Sequence, residues 1–206
     1  MMNTSFTDAG LGYGSDNQGA PVIHLTVDGG QTWIDANLPL PANASGVGSY
    51  GTQIQLLERR ADGTLRALVS SLSSQMITTI VVSADDGKTW TSAGTAEDLT
   101  GPAYGVAWLG EGHWLALGQN PSSIGTPFTL DARVTEDGGV TWKSIPAEGL
   151  PPYTSNPHFV SATDGWVAAA DPTCTGSTDN QTCAMEVWAL YATKDGGNTW
   201  QPIFKP

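Results

Sequence analysis

Basic residues are scarce in this chain: eight Lys and Arg stand against twenty Asp and Glu, a formal net charge of −12 over 206 residues. Nucleic acids and anionic membranes are held by clustered cations that displace counterions, so neither is expected as a partner. Long apolar runs are also missing. No stretch reaches the ~20 residues that span a bilayer, and the opening MMNTSFTDAG has neither a basic nor an apolar region of the kind that directs export. Apolar residues at helical spacing are absent over any useful length. Cysteine occurs only at Cys174 and Cys183, around the polar stretch TGSTDNQT. Two cysteines without neighbouring histidines do not make a zinc site, which takes four ligands. A short polar loop between two cysteines suits a local disulfide, and so an oxidising, extracytoplasmic compartment.

What the chain has instead is repetition. One octapeptide occurs four times, as TVDGGQTW at 26–33, SADDGKTW at 83–90, TEDGGVTW at 135–142 and TKDGGNTW at 193–200. The aspartates Asp28, Asp85, Asp137 and Asp195 are 57, 52 and 58 residues apart. An Asp carboxylate accepts from following backbone N–H groups in an Asx-type turn. Gly30, Gly87, Gly139 and Gly197 supply the positive φ of a tight hairpin. The Ser/Thr hydroxyls tie the two arms, and Trp33, Trp90, Trp142 and Trp200 pack a large apolar face beneath the turn. Each octapeptide therefore reads as a hairpin corner between two strands. A calcium loop fits poorly, since each corner brings one or two carboxylates and Ca²⁺ takes six to eight oxygens.

This octapeptide resembles the Asp-box, or BNR repeat, of sialidases, sortilin-type receptors, some xyloglucanases and photosystem II assembly-factor-like proteins. The resemblance covers the whole chain. It implies an all-β fold, a β-propeller of four-stranded antiparallel blades, in which the box joins the third and fourth strands and carries no catalysis. Blades are expected near 3–37, 50–94, 103–147 and 157–206, with sixteen short strands, in one domain or a propeller fragment. The stretches Phe6–Tyr13 and Phe159–Trp166 share Phe, Asp and Gly-aromatic spacing and resemble the first hairpin of the assembly-factor-like repeats. Repeats two and three depart from it, with Ala61-Asp62-Gly63-Thr64 and Gly110-Glu111-Gly112-His113 at that turn. Four blades are few for such proteins. Closure as a small ring, completion by missing blades and self-association are all open.

The propeller resemblance places the boxes on one rim and sends function to the other. There lie the connections 37–51, 94–103 and 147–157 between blades, and 16–20, 71–75, 119–127 and 171–184 within them. Tyr50, Tyr104 and Tyr153 end the three interblade connections and are the candidate ligand-binding residues, suited to stacking on sugar or gripping a peptide. Packing between blades is the alternative. A glycosidase needs a carboxylate pair, for which Glu97, Asp98 and Asp171 are the weak candidates. The sialidase resemblance would demand three arginines clamping an anionic sugar. This chain has four arginines, Arg59, Arg60, Arg66 and Arg133, all placed nearer the corner rim. His24, His113 and His158 share no ligand spacing, and neither a metal nor a cofactor is expected. Asn3, Asn43 and Asn180 head Asn-x-Ser/Thr sequons, which matter only in a secreted eukaryotic chain. The leading expectation is a non-catalytic module binding glycan or protein. A glycoside hydrolase is the runner-up and an assembly scaffold the third reading.

Overall fold

The computed structural model describes residues 3–15, 23–39, 52–71, 77–96, 99, 104–120, 129–170, 172–175, 182–185 and 188–205. The protein is all-β with almost no helix. Its four antiparallel sheets are the blades of a four-bladed β-propeller. The first blade runs in the order β1 (Asn3–Phe6), β2 (Gly12–Ser15), β3 (Ile23–Thr26) and β4 (Ile34–Ala36). The second is β5 (Thr52–Arg59), β6 (Leu65–Ser71), β7 (Ile77–Ser83) and β8 (Thr91–Thr95). The third is β9 (Tyr104–Gly110), β10 (His113–Asn120), β11 (Thr129–Thr135) and β12 (Lys143–Ser144).

The fourth blade departs from the regular pattern. Its first strand is broken into β13 (Tyr153–Thr154) and β14 (His158–Phe159), both paired to β15 (Gly165–Ala170). Pro157 has no N–H to give a ladder. Asn156 and Pro157 approach the backbone of Gly105 so closely that a Cβ there would lie 2.9 Å from each. The stretch read as a loop at 171–184 holds a separate hairpin, β16 (Pro172–Thr175) with β17 (Thr182–Met185). Nineteen strands are thus found among the described residues where sixteen were expected. The blade is completed by β18 (Ala189–Thr193) and β19 (Gln201–Phe204).

The chain divides into two compact units, Met1–Thr100 with Gly138–Thr141, and Gly101–Asp137 with Trp142–Pro206. Strand alternation builds a core in each. In the first, Leu11 and Leu25 of blade one meet Leu57, Leu65, Ala67, Val81 and Trp90 of blade two. In the second, Leu109, Leu115 and Leu117 of blade three meet Val167, Tyr191 and Trp200 of blade four. In both, a blade lays one sheet face on the next, and the corner of the later blade rests on a leucine of the earlier one. A Cβ on Gly87 would collide with Leu25, and one on Gly197 would lie 3.0 Å from Leu115.

Candidate binding face

The corners are the best-defined chemistry in the molecule. In the first, Thr26 Oγ1 donates to Asp28 Oδ1 at 2.8 Å, Thr32 N donates to the same oxygen at 2.9 Å, and Thr32 Oγ1 donates to Asp28 Oδ2 at 2.6 Å. The Thr26 hydroxyl in turn accepts from Gly30 N at 2.8 Å. Ser83, Asp85 and Thr89 repeat this set, as do Thr193, Asp195 and Thr199. In the third corner Thr135 Oγ1 donates to Asp137 Oδ1 at 2.8 Å. The Asp reaches the N–H four residues on, closing the corner across its own width. The indole N–H of Trp33, Trp90 and Trp200 donates to the carbonyl of Gly30, Gly87 and Gly197. The rings of Trp90 and Trp200 are thereby buried, and that of Trp33 half-buried, without orphaning their donors. Gly30, Gly87, Gly139 and Gly197 have φ of 87°, 83°, 90° and 94°, as the hairpin reading required.

These bonds set the electrostatics. Hydrogen bonds from Thr32, in side chain and backbone, and from Thr26 bring the Asp28 carboxyl down to about 2. Thr89 and Ser83 bring Asp85 to about 2. At Asp195 burial works against ionisation, and the bonds from Thr199 and Thr193 outweigh it to hold the group below the usual range. The neighbouring first-hairpin turns are built alike. Asp62 is lowered by the Thr64 hydroxyl and N–H, and Asp164 by the hydroxyls of Thr163 and Ser161. Carboxylates this acidic hold no proton to donate near neutral pH, so they are unsuited to general-acid work. Both turn sets share one end of a blade. Gly29 N donates to Gly10 O at 2.8 Å in blade one, and Gly196 N to Thr163 O at 3.1 Å in blade four.

The arginines are also at this end. Arg59 Nη1 donates to Asp86 Oδ1 at 3.3 Å, with Asp8 4.0 Å from its Nε. Arg66 Nη1 donates to Gly138 O at 3.2 Å, and Arg133 Nε bonds both oxygens of Asp131 at 3.0 Å. They are tied to turns and strands of the sheets, not to one another.

At the other end the tyrosines open strands. Tyr104 is the first residue of β9 and Tyr153 the first of β13, where it pairs with Ala170. Both thus stand at the start of the first strand of a blade, and the Tyr153 side chain is half-buried. The connection leading to Tyr153 is pinned to its own blade. Glu148 N donates to Asn198 O and Trp200 N to Glu148 O, each at 2.8 Å. Ser155 N then donates to Ala168 O at 2.8 Å. Tyr50, Glu97, Asp98 and Asp171 lie outside the described residues. Cys174 and Cys183 are opposed as Cα partners across β16 and β17. Their side chains lie outside the described residues, among which no disulfide is found.

Two residues that sequence reasoning set aside make an exposed aromatic plate. His158 and Trp166 are cross-strand partners on β14 and β15, their rings 6.1 Å apart and inclined by only 23°. Trp166 lies in the Phe159–Trp166 stretch, and the hairpin register would have shown the pairing. Its exposure depends on what faces the blade. His24 Nδ1 lies 2.9 Å from Asp35 Oδ1 across β3 and β4. Among the described residues no three His, Cys, Asp or Glu side chains gather as metal ligands, and no helix is long and apolar enough to cross a membrane.

No protein-family model matches this chain, and no curated protein matches it either. Solved structures do. An α-L-arabinofuranosidase, Arb93A from Fusarium graminearum, determined with an iminosugar inhibitor, superimposes with a TM-score of 0.57 at 13% identity over 98% of this chain and 65% of that one. An ancestral GH74 enzyme gives 0.54 at 12% identity, over 99% of this chain and 24% of that one. YCF48 bound to D1 peptide gives 0.43 at 15% identity, over 97% and 79%. This chain thus spans less than two thirds of the two enzymes. The likeness is one of β-propeller fold.

Proposed function

We propose that this chain is an Asp-box propeller that binds a glycan or protein ligand without transforming it, on the end of the blades opposite the corners. The observation that carries this reading is Tyr153, half-buried at the mouth of β13, with Tyr104 the first residue of β9. An aromatic ring at the start of a first strand offers a flat face with a hydroxyl at its tip, suited to a sugar ring or an extended peptide. The corner acids are spent in holding turns, so recognition falls to the other end. Two fold neighbours supply context, one an arabinofuranosidase holding an iminosugar and one a GH74 enzyme. The protein works outside the cytoplasm, with Cys174 and Cys183 joined; their face-to-face register supports the bond.

A glycan array read beside a fluorogenic glycosidase panel tests this. Binding without turnover is expected. Tyr153→Ala should weaken it about tenfold, the worth of one lost ring contact, with the melting temperature kept. Turnover abolished by changing Glu97, Asp98 or Asp171 would show a glycoside hydrolase instead. Tyr153→Ala that unfolds the chain without a specific loss of binding would return Tyr153 to a packing role.

A further inference from the structure

Ala170 ends β15 and faces Tyr153, the first residue of β13. On its other side β15 pairs with β18, and the last pair toward this end is Ala169 with Ala189. Trp188 directly precedes Ala189, so one step on it stands across from Ala170. The order across the sheet is therefore Tyr153, Ala170, Trp188, two aromatic residues with a methyl between them. All three belong to blade four and to one compact unit. Neighbouring strands lie ~4.8 Å apart, which puts the two aromatic residues roughly 10 Å apart at the backbone. The row stands at the end of the pairing between β15 and β18, so a ligand reaches it from the end of the blade.

Trp188 differs from the corner tryptophans. Trp90 and Trp200 bury their rings and donate the indole N–H to Gly87 and Gly197. Trp188 is 42% exposed, and its N–H has no acceptor among the described residues. It takes no part in the core that blade four shares with blade three. Ala170 beside it is only 2% exposed. A buried methyl between a half-buried Tyr153 and an exposed Trp188 forms the floor of a shallow slot.

We propose that Trp188 joins Tyr153 in contacting the ligand, and that the ligand there is a neutral sugar ring of a glycan, laid over Ala170. The inference rests on the binding end put forward above and names what that end takes. The C–H face of a sugar ring lies on the electron-rich face of an aromatic ring, and its hydroxyls meet the Tyr hydroxyl and the indole N–H at the rim. An extended peptide gains its affinity from main-chain bonds to a free sheet edge. No such edge exists at this row, since β15 is paired on one side by β13 and on the other by β18. An anionic sugar is held by a fork of paired donors such as arginine supplies. Blade four has no arginine, and its lysines are Lys194, in the corner, and Lys205, past the end of β19. One exposed lysine in a chain of net charge −12 does not replace that fork.

Calorimetric titration of the whole chain tests this. The neutral probes are cellohexaose, xylohexaose, mannohexaose and arabinohexaose, with oligogalacturonate as the acidic probe and a proline-rich peptide as the protein probe. At least one neutral probe should bind, and Trp188→Ala should weaken it about tenfold, as loss of one stacked ring does. Trp188→Phe keeps an aromatic face and should retain most of the affinity. The side chain is exposed, so the melting temperature should be kept in both; Trp188→Gln replaces the alanine variant if that fails to fold. Binding lost in Tyr153→Ala but not in Trp188→Ala overturns the role of Trp188 and leaves the binding end standing. Binding lost in neither overturns both. No neutral probe bound, or the acidic probe or the peptide bound as tightly, overturns the ligand class.

Discussion

Gly87, in the corner of blade two, occupies space that admits no side chain, because the Leu25 side chain of blade one already fills it. Its φ of 83° adds a second constraint. Gly87→Ala should cost about 2–5 kcal/mol, the sum of overpacking a core and forcing an L-residue left-handed. Gly63 separates the two terms, since it has φ of 85° with nothing within 4 Å of its missing Cβ. Gly63→Ala should cost only about 1–2 kcal/mol. Urea denaturation of both variants checks this; equal losses would mean that the contact with Leu25 contributes nothing.

The corner carboxylates make the fold acid-sensitive in a narrow window. Asp28 and Asp85 are lowered to about 2 in the folded chain, below the ~3.9 of an unfolded Asp. A folded value depressed in this way stabilises above the unfolded value, and the gain is lost as pH falls from about 4 through about 2. Melting temperatures measured across that range should drop steeply. Asp85→Asn should flatten the slope while lowering stability at neutral pH, because the amide cannot accept on both atoms.

Asp86 has φ of 56°, at a step where the other corners place Gly29, Gly138 and Gly196. Asp tolerates this region better than most residues. Its carboxylate also meets Arg59 at 3.3 Å, an exposed pair worth roughly 0.2–1 kcal/mol. Asp86→Gly should thus be near neutral, and Asp86→Val should cost about 1–2 kcal/mol. Chemical denaturation of the pair distinguishes backbone strain from the ion pair.

The opposed positions of Cys174 and Cys183 predict a closed disulfide in oxidising buffer. Thiol titration of the denatured chain should find no free thiol. Reduction should destabilise by about 2–3 kcal/mol, the loop-closure worth of so short a loop. Two titratable thiols after exposure to oxidant would end this reading and the compartment argument built on it.

The corners were legible because their bonds are local. Asp28 meets Thr26 and Thr32, and Trp33 meets Gly30, all inside one octapeptide. The hairpin β16–β17 was not legible, since Thr173, Thr175 and Thr182 stand where a strand usually shows alternating apolar residues. Nor was the break in the first strand of blade four, which Pro157 produces against Gly105, more than fifty residues away in the chain. Sequence alone put Tyr104 and Tyr153 at the ends of interblade connections, whereas in the structure they are the first residues of β9 and β13. The His158–Trp166 plate is set by the β14–β15 register, which brings together two residues that carry no shared motif.

By itself the amino-acid order determined the four corners, the strand pairs they join and the antiparallel sheets that result. Each of these closes over a few residues and needs no distant partner. Tertiary structure alone decided which sheet faces are covered. Leu115 and Trp166 hold the same step, and so do Phe159 and Phe6, yet one of each pair is packed and the other open. Burial is a property of what lies opposite, and no local pattern carries that.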